Sequence, residues 1–222
     1  MGQSLGENGI KPTATGNLPR AVSRAIAREY LGPEEYARRT RYGDIMSELD
    51  VHELHIVRLV AGLAGLIRKH RGRFITSGAL RTLLDKGDWS TVYEKCFHAF
   101  VEKINWAYPR ALIEVPFFQQ SFAFTLYLLS RFGDKSRPGS FYGDRFFEAF
   151  PMLPEQEEPR EHLERGQLTR NAYVSQVLCR VARMLGLADC EYVRKEGQIV
   201  GEYRVKARPL LHRVVSFKCG RD

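Results

Sequence analysis

The sequence predicts a mainly helical α+β protein, with two helix–hairpin–helix units flanking an aromatic-rich helical middle. Three observations carry this prediction. Long runs with apolar residues at helical spacing dominate, and only short stretches suit β-strands. A helix ending in Gly-Leu, then a hairpin, then a short helix occurs twice, in AGLIRKHRGRFITSGALRTLL and in LGLADCEYVRKEGQIVGEYRVKARPLLHRVV. A hydrophobic fraction of 44% and an aromatic fraction of 11%, with most aromatics between residues 88 and 150, suffice for a packed core. The chain then divides into an N-terminal extended segment with basic helices (1–44), a first unit (45–87), the aromatic-rich region (88–153), a linker (154–166) and a second unit (167–222).

The first helix is expected over Leu18 to Tyr30, with Pro19 in its first turn. Arg20, Arg24 and Arg28 recur every four residues along one face of it. Gly32-Pro33 breaks the helix before a short basic one, Glu34 to Arg41. Asp50, followed by Glu53 at capping-box spacing, is the expected N-cap of a helix over Val51 to Ala64. That helix is apolar nearly all round and is therefore expected to be buried.

Leu66 to His70 and Arg73 to Thr76 pair as two strands around Arg71-Gly72, and Thr76 or Ser77 caps a helix of Ala79 to Leu84. Val92, Cys96, Phe97, Phe100 and Ile104 lie at helical spacing, and FFQQSFAFTLYLLSRFG forms a very apolar helix. This aromatic stripe has the periodicity of core. FYGDRFFEAF follows as a shorter helix, and PEQEEPREHLERG is acidic and Pro-containing, as a linker would be. In the second unit Val174, Val177, Leu178, Val181 and Leu185 face inward; Cys190 to Arg194 and Gly201 to Lys206 form the hairpin. Overlaying the two copies places Gly65-Leu66 on Gly186-Leu187 and Leu80 on Leu210.

This order of elements resembles winged-helix domains, in which a helix ending in Gly-Leu-Ile precedes a basic hairpin and a Thr-x-x-Gly-like helix start. Residues 65 to 84 resemble that segment closely, and residues 186 to 214 more loosely. The longer pattern GNLPRA, ELH, GLIRKHRGRF, INWAY, FFQQSFAFTLYLL and EAFP, over about residues 16 to 153, is similar to a family of uncharacterised bacterial proteins. That resemblance implies family membership and no particular activity.

A net charge of +8 and a pI near 9.4 favour a polyanionic partner, nucleic acid before membrane. The candidate contact residues are Arg68, Lys69, His70, Arg71 and Arg73 on the first hairpin, and Arg20, Arg24 and Arg28 on the first helix. Arg38, Arg39 and Arg41 lie nearby; Arg180 and Arg183 belong to the second unit. Such contacts grip phosphates and carry no base information. The helix before the first hairpin offers only His52, His55 and Arg58 among apolar residues, too little to read base edges. A second reading is a protein–protein scaffold on the same units.

An enzyme ranks third. His52 and His55 are three apart, so DVHELH is not the HExxH zinc pattern, and no metal or other cofactor is expected. Cys96, Cys179, Cys190 and Cys219 show no CxxC and no regular spacing, which predicts reduced thiols and no disulfide framework. No apolar run reaches the roughly 20 residues of a membrane span, and the N-terminus lacks a signal-peptide layout. Together these predict a cytoplasmic protein without a membrane partner.

Overall fold

The computed structural model describes residues 9–107, 115–155, 157, 163–194 and 201–217. The chain is mainly helical with two small antiparallel sheets, and it divides into compact units Met1–Ile104 and Asn105–Asp222. The aromatic-rich middle is thus not a body of its own. Residues up to Ile104 fold with the first unit, where Val92 and Cys96 pack against the Leu80 cluster; the later aromatics pack in the second unit. Residues 156 and 158–162 of the acidic linker lie outside the described residues.

In the first unit Ile10 sits beside Phe74, each backbone N–H donating to the other's carbonyl at 2.9 and 2.8 Å. Helix α1, Arg20–Arg39, is interrupted where expected, at Gly32, whose φ of 71° is non-helical. Its apolar residues Ile26 and Ala27 join Leu18, Ile45, Val51 and Leu54 in one buried cluster. A 3₁₀ turn, Glu48–Asp50, precedes α2, His52–Leu63.

Asp50 does not cap α2 as its spacing suggested. Its carboxylate turns back to accept from the backbone N–H groups of Met46 and Ser47, both at 2.8 Å, and closes a capping box with Ser47 on the 3₁₀ turn. Glu53 pairs with Arg39. The competing partner for each carboxylate comes from elsewhere in the chain, which spacing alone does not reveal.

Glu48 is fully buried and accepts from Leu18 N–H at 2.6 Å, from Arg58 Nε at 2.7 and 2.8 Å, and stands 2.6 Å from His55 Nδ1. Arg58 in turn lies 5.3 Å over the Phe74 ring. A buried carboxylate tolerates desolvation only with such a set of donors.

After α2 the chain turns at Gly65 (φ 70°), with Leu66 N–H donating to Ala61 O at 2.9 Å. Strands β1, Ile67–His70, and β2, Arg73–Thr76, form the expected hairpin. Ser77 caps α3, Gly78–Asp85, accepting from Leu80 N–H at 3.1 Å. Asp88 caps α4, Trp89–His98, which runs into a π-helical turn, Ala99–Lys103.

The second unit begins with α5, Phe117–Gln120, and α6, Phe122–Phe132, separated at Ser121 where one helix was expected. A short strand β3, Arg137–Pro138, leads into α7, Gly139–Ala149, and α8, Met152–Glu155. Helix α9, Gln167–Ala172, continues as a π-helix, Tyr173–Ala182. Strands β4, Ala188–Val193, and β5, Glu202–Ala207, form the second hairpin, and α10, Pro209–Val214, follows it. The expected inward residues Val177, Leu178 and Val181 are fully buried. They meet an aromatic core in which Phe146 stacks on Tyr173 at 4.2 Å and Tyr173 Oη lies 3.2 Å from Thr125 Oγ1.

The reduced-thiol expectation is corrected at one pair: Cys179 and Cys190 are joined by a disulfide. The turn at Gly186 folds β4 back beside the helix and brings the two Cα atoms to 5.2 Å, a bridging distance that linear spacing does not show. Cys96 is a free, half-buried thiol; Cys219 lies outside the described residues.

Both units share one element order and one strand order. In the first, Ile10 lies beside β2, which pairs with β1; in the second, β3 lies beside β5, which pairs with β4. Gly186 (φ 72°) repeats Gly65, and Leu187 N–H donates to Ala182 O at 2.8 Å. Ser77 N–H donates to Leu66 O as Arg208 N–H does to Leu187 O, each at 2.9 Å. That pairing sets Leu80 against Leu211, which is fully buried, and not against Leu210. The sequence overlay is one residue off because hydrogen bonds, not residue identity, fix where each closing helix starts.

Replacing Glu48 by Ala leaves the Arg58 guanidinium buried without its counter-charge. Urea unfolding followed by circular dichroism is expected to show a loss of about 3–5 kcal/mol. Reductant is expected to lower the unfolding midpoint of the wild type by an amount equivalent to about 2–4 kcal/mol. Cys190→Ser should start at that lower midpoint and ignore reductant.

Candidate nucleic-acid interface

The β1–β2 hairpin is tight because both central residues of its turn take positive φ, Arg71 at 46° and Gly72 at 73°. That is the geometry whose twist matches paired strands, and glycine enters it without strain. Directly paired residues share a face of the sheet. Ile67 with Thr76, and Lys69 with Phe74, therefore form one face; Arg68 with Ile75, and His70 with Arg73, form the other. Ile67 is buried and Phe74 packs against both apolar clusters of the unit, so theirs is the inner face. Arg68, His70 and Arg73 stand together on the outer one, with Arg71 at the tip.

Arg68, Lys69, His70, Arg71 and Arg73 are all exposed. The side chains of Arg68, Lys69, His70 and Arg71 make no hydrogen bond or ion pair among the described residues, whereas Arg73 Nη1 donates to Gly9 O at 3.2 Å.

The arginines of α1 are placed differently. Arg24 pairs with Asp44, donates from Nε to Ile45 O at 2.9 Å, and fixes the loop before the 3₁₀ turn. Arg20 lies 3.9 Å from the same carboxylate, and Arg28 lies 5.2 Å over the Tyr36 ring. Beyond the kink, Arg38 and Arg39 both donate to Glu35, and Arg39 reaches Glu53 at 2.8 Å. Arg41 stacks over Tyr42 at 5.3 Å. The regular stripe in the sequence is thus largely a set of intramolecular contacts.

Of the polar residues on α2, Arg58 and His55 are held at Glu48. The helix exposes Val57 and Leu63, 49% and 43% accessible, and these have no hydrogen-bonding side chains. In the second unit Arg183 is exposed and Arg180 is half-buried with a partner. Arg170 pairs with Asp144 at 3.1 Å and lies over Phe147. The outer face of β4–β5 alternates in sign, with Asp189 opposite Lys206 and Glu191 opposite Arg204.

Among the described residues, no group of three or more His, Cys, Asp or Glu side chains is arranged to hold a metal ion, and no helix is long and apolar enough to cross a membrane. No family model, curated protein or solved structure matches the chain. The residue that sequence reasoning missed is Glu48, whose partners lie 30, 7 and 10 positions away and which stands in the turn before α2, not in the helix that carries His55 and Arg58.

The hydrogen bonds from Arg38 and Arg39 hold the Glu35 carboxyl down to about 2, and the bond from Arg39 holds that of Glu53 below its ordinary value. Lowered carboxylate pKa values stabilise the fold above the ordinary range and lose that contribution as pH falls through the folded values. Arg39→Met removes part of this linkage. Its urea midpoint should therefore fall less than that of the wild type between about pH 5 and about pH 2.

Proposed function

We propose that this chain is a non-catalytic, nucleic-acid-binding protein of the bacterial cytoplasm, built on two winged-helix units, that grips phosphates and leaves bases unread. The observation that carries this reading is the β1–β2 hairpin. It projects four unpaired basic or titratable side chains, Arg68, Lys69, His70 and Arg71, from a tight turn. Cations left exposed and unpaired on a chain of net charge +8 suit a polyanion. The winged-helix assignment draws on the shared order of strand, helix, helix, hairpin and closing helix, and on the shared strand order of the two small sheets. Phosphate gripping without base reading draws on the apolar exposed side of α2, where a reading helix needs hydrogen-bonding groups. Of the residues proposed for contact, the hairpin set Arg68, Lys69, His70 and Arg71 is primary; Arg28 of the same unit and, separately, Arg183 of the second unit are secondary, while Arg20, Arg24, Arg73 and Arg180 already hold internal partners.

A second reading, a protein-docking scaffold on the same units, is favoured by Val57 and Leu63, apolar side chains left exposed on one helix. Binding of labelled duplexes of unrelated sequence across a salt series separates the two. The nucleic-acid reading expects similar affinity for each duplex and steep salt dependence. Arg68→Ala with Arg71→Ala should lower the slope of log K against log salt by about 2, equally for all sequences. Absence of binding at the lowest salt, with the chain folded, favours the scaffold.

A further inference from the structure

Between α1 and α2 the first unit holds a half-open cavity of about 390 Å³. Its floor is apolar and buried, formed by Ile26 and Ala27 on α1 and by Val51 and Leu54 at the start of α2. Tyr30 and Val57, 61% and 49% accessible, stand in its wall. The volume lies within the roughly 300–1,000 Å³ of small-molecule sites, which are likewise mostly apolar with few polar groups.

The charge of the lining selects the occupant. Its charged groups are two carboxylates, Glu29 and Glu53, on a chain whose net charge is +8. Glu53 is matched by Arg39, which reaches it past the Gly32 kink. Glu29 is exposed and has no ion pair or hydrogen bond among the described residues. The neighbouring Tyr30 adds an aromatic ring, whose face attracts cations.

We propose that this cavity binds a small organic cation with an apolar body. The apolar part lies on Ile26, Val51 and Leu54, and the ammonium group meets the Glu29 carboxylate and the Tyr30 ring. An anionic ligand would face an uncompensated carboxylate there, and a neutral one would gain no charge pairing from it. Val57 belongs both to this wall and to the exposed side of α2, so an occupant covers part of that helix face.

Calorimetric titration of the intact chain with 2-naphthylethylammonium, its neutral analogue 2-naphthylethanol and the anion 2-naphthylacetate tests this. The ammonium compound should bind about tenfold more tightly than the alcohol, and the carboxylate least of all. Glu29→Gln should abolish the tenfold preference while the alcohol binds as before. Val57→Trp, at a half-exposed position, should weaken ammonium and alcohol together by filling the cavity, with circular dichroism checking that the variant is folded. The proposal is overturned if the ammonium compound does not bind at millimolar concentration. It is equally overturned if the three probes bind alike, or if the preference survives Glu29→Gln. Nucleic acid takes no part in the measurement, so its outcome is independent of the phosphate-gripping reading.

Discussion

The buried carboxylate of Glu48 is the contact on which the first unit depends. It takes a hydrogen bond from the backbone just before α1 and is held by two side chains of α2. Through Arg58 it also reaches the ring of Phe74 in β2. Three segments distant in sequence thus meet around one charge. In a low-dielectric interior such a charge is tolerable only while every donor stays in place, so the arrangement favours a single geometry. Phe74 packs against both apolar clusters of the unit, so the hairpin is fastened to the helix by apolar contact and by the cation above the ring. The same contact withdraws Arg58 from solvent and leaves the exposed side of α2 apolar.

The second unit joins the same elements with different chemistry. Arg58 and Cys179 each stand seven residues before the positive-φ glycine that ends their helix, Gly65 or Gly186. Arg58 reaches the hairpin through Phe74, and Cys179 reaches it through the disulfide to Cys190. The backbone hydrogen bonds around Leu66 and Leu187 agree to within about 0.1 Å. What the repeat preserves is the backbone turn and its bonding pattern; the link between helix and hairpin is replaceable. The mixed charges of the second hairpin differ from the basic residues of the first on the same order of elements.

Charge on the first unit is sorted by role. Most arginines of α1 and its extension are matched to Asp44, Glu35 or Glu53, or lie over tyrosine rings, and so organise the loop and the kink. On the hairpin, Arg68, Lys69 and Arg71 are left without such partners among the described residues. The acidic cavity between α1 and α2 has the opposite sign and an apolar floor. Basic side chains without acidic partners and a cavity lined by carboxylates therefore occur in one small unit. Local pairing, and not the overall excess of eight positive charges, produces both.

Local features of the sequence determined much of the framework. Gly72 after Arg71 set the hairpin, Ser77 set the start of α3, Gly32-Pro33 set the kink, and apolar periodicity set the aromatic core of the second unit. Each of these is a short-range preference of backbone or side chain, legible within a few residues. Glu48, the Cys179–Cys190 bond, the Arg24–Asp44 pair and the short strand β3 were decided only in the tertiary structure. Their partners lie up to tens of residues away and on different elements, which local preference does not bring together. The stripe of Arg20, Arg24 and Arg28 shows the difference most directly: helical geometry fixed its regularity, but Asp44 and Tyr36, delivered by the returning chain, decided how little of it is left free.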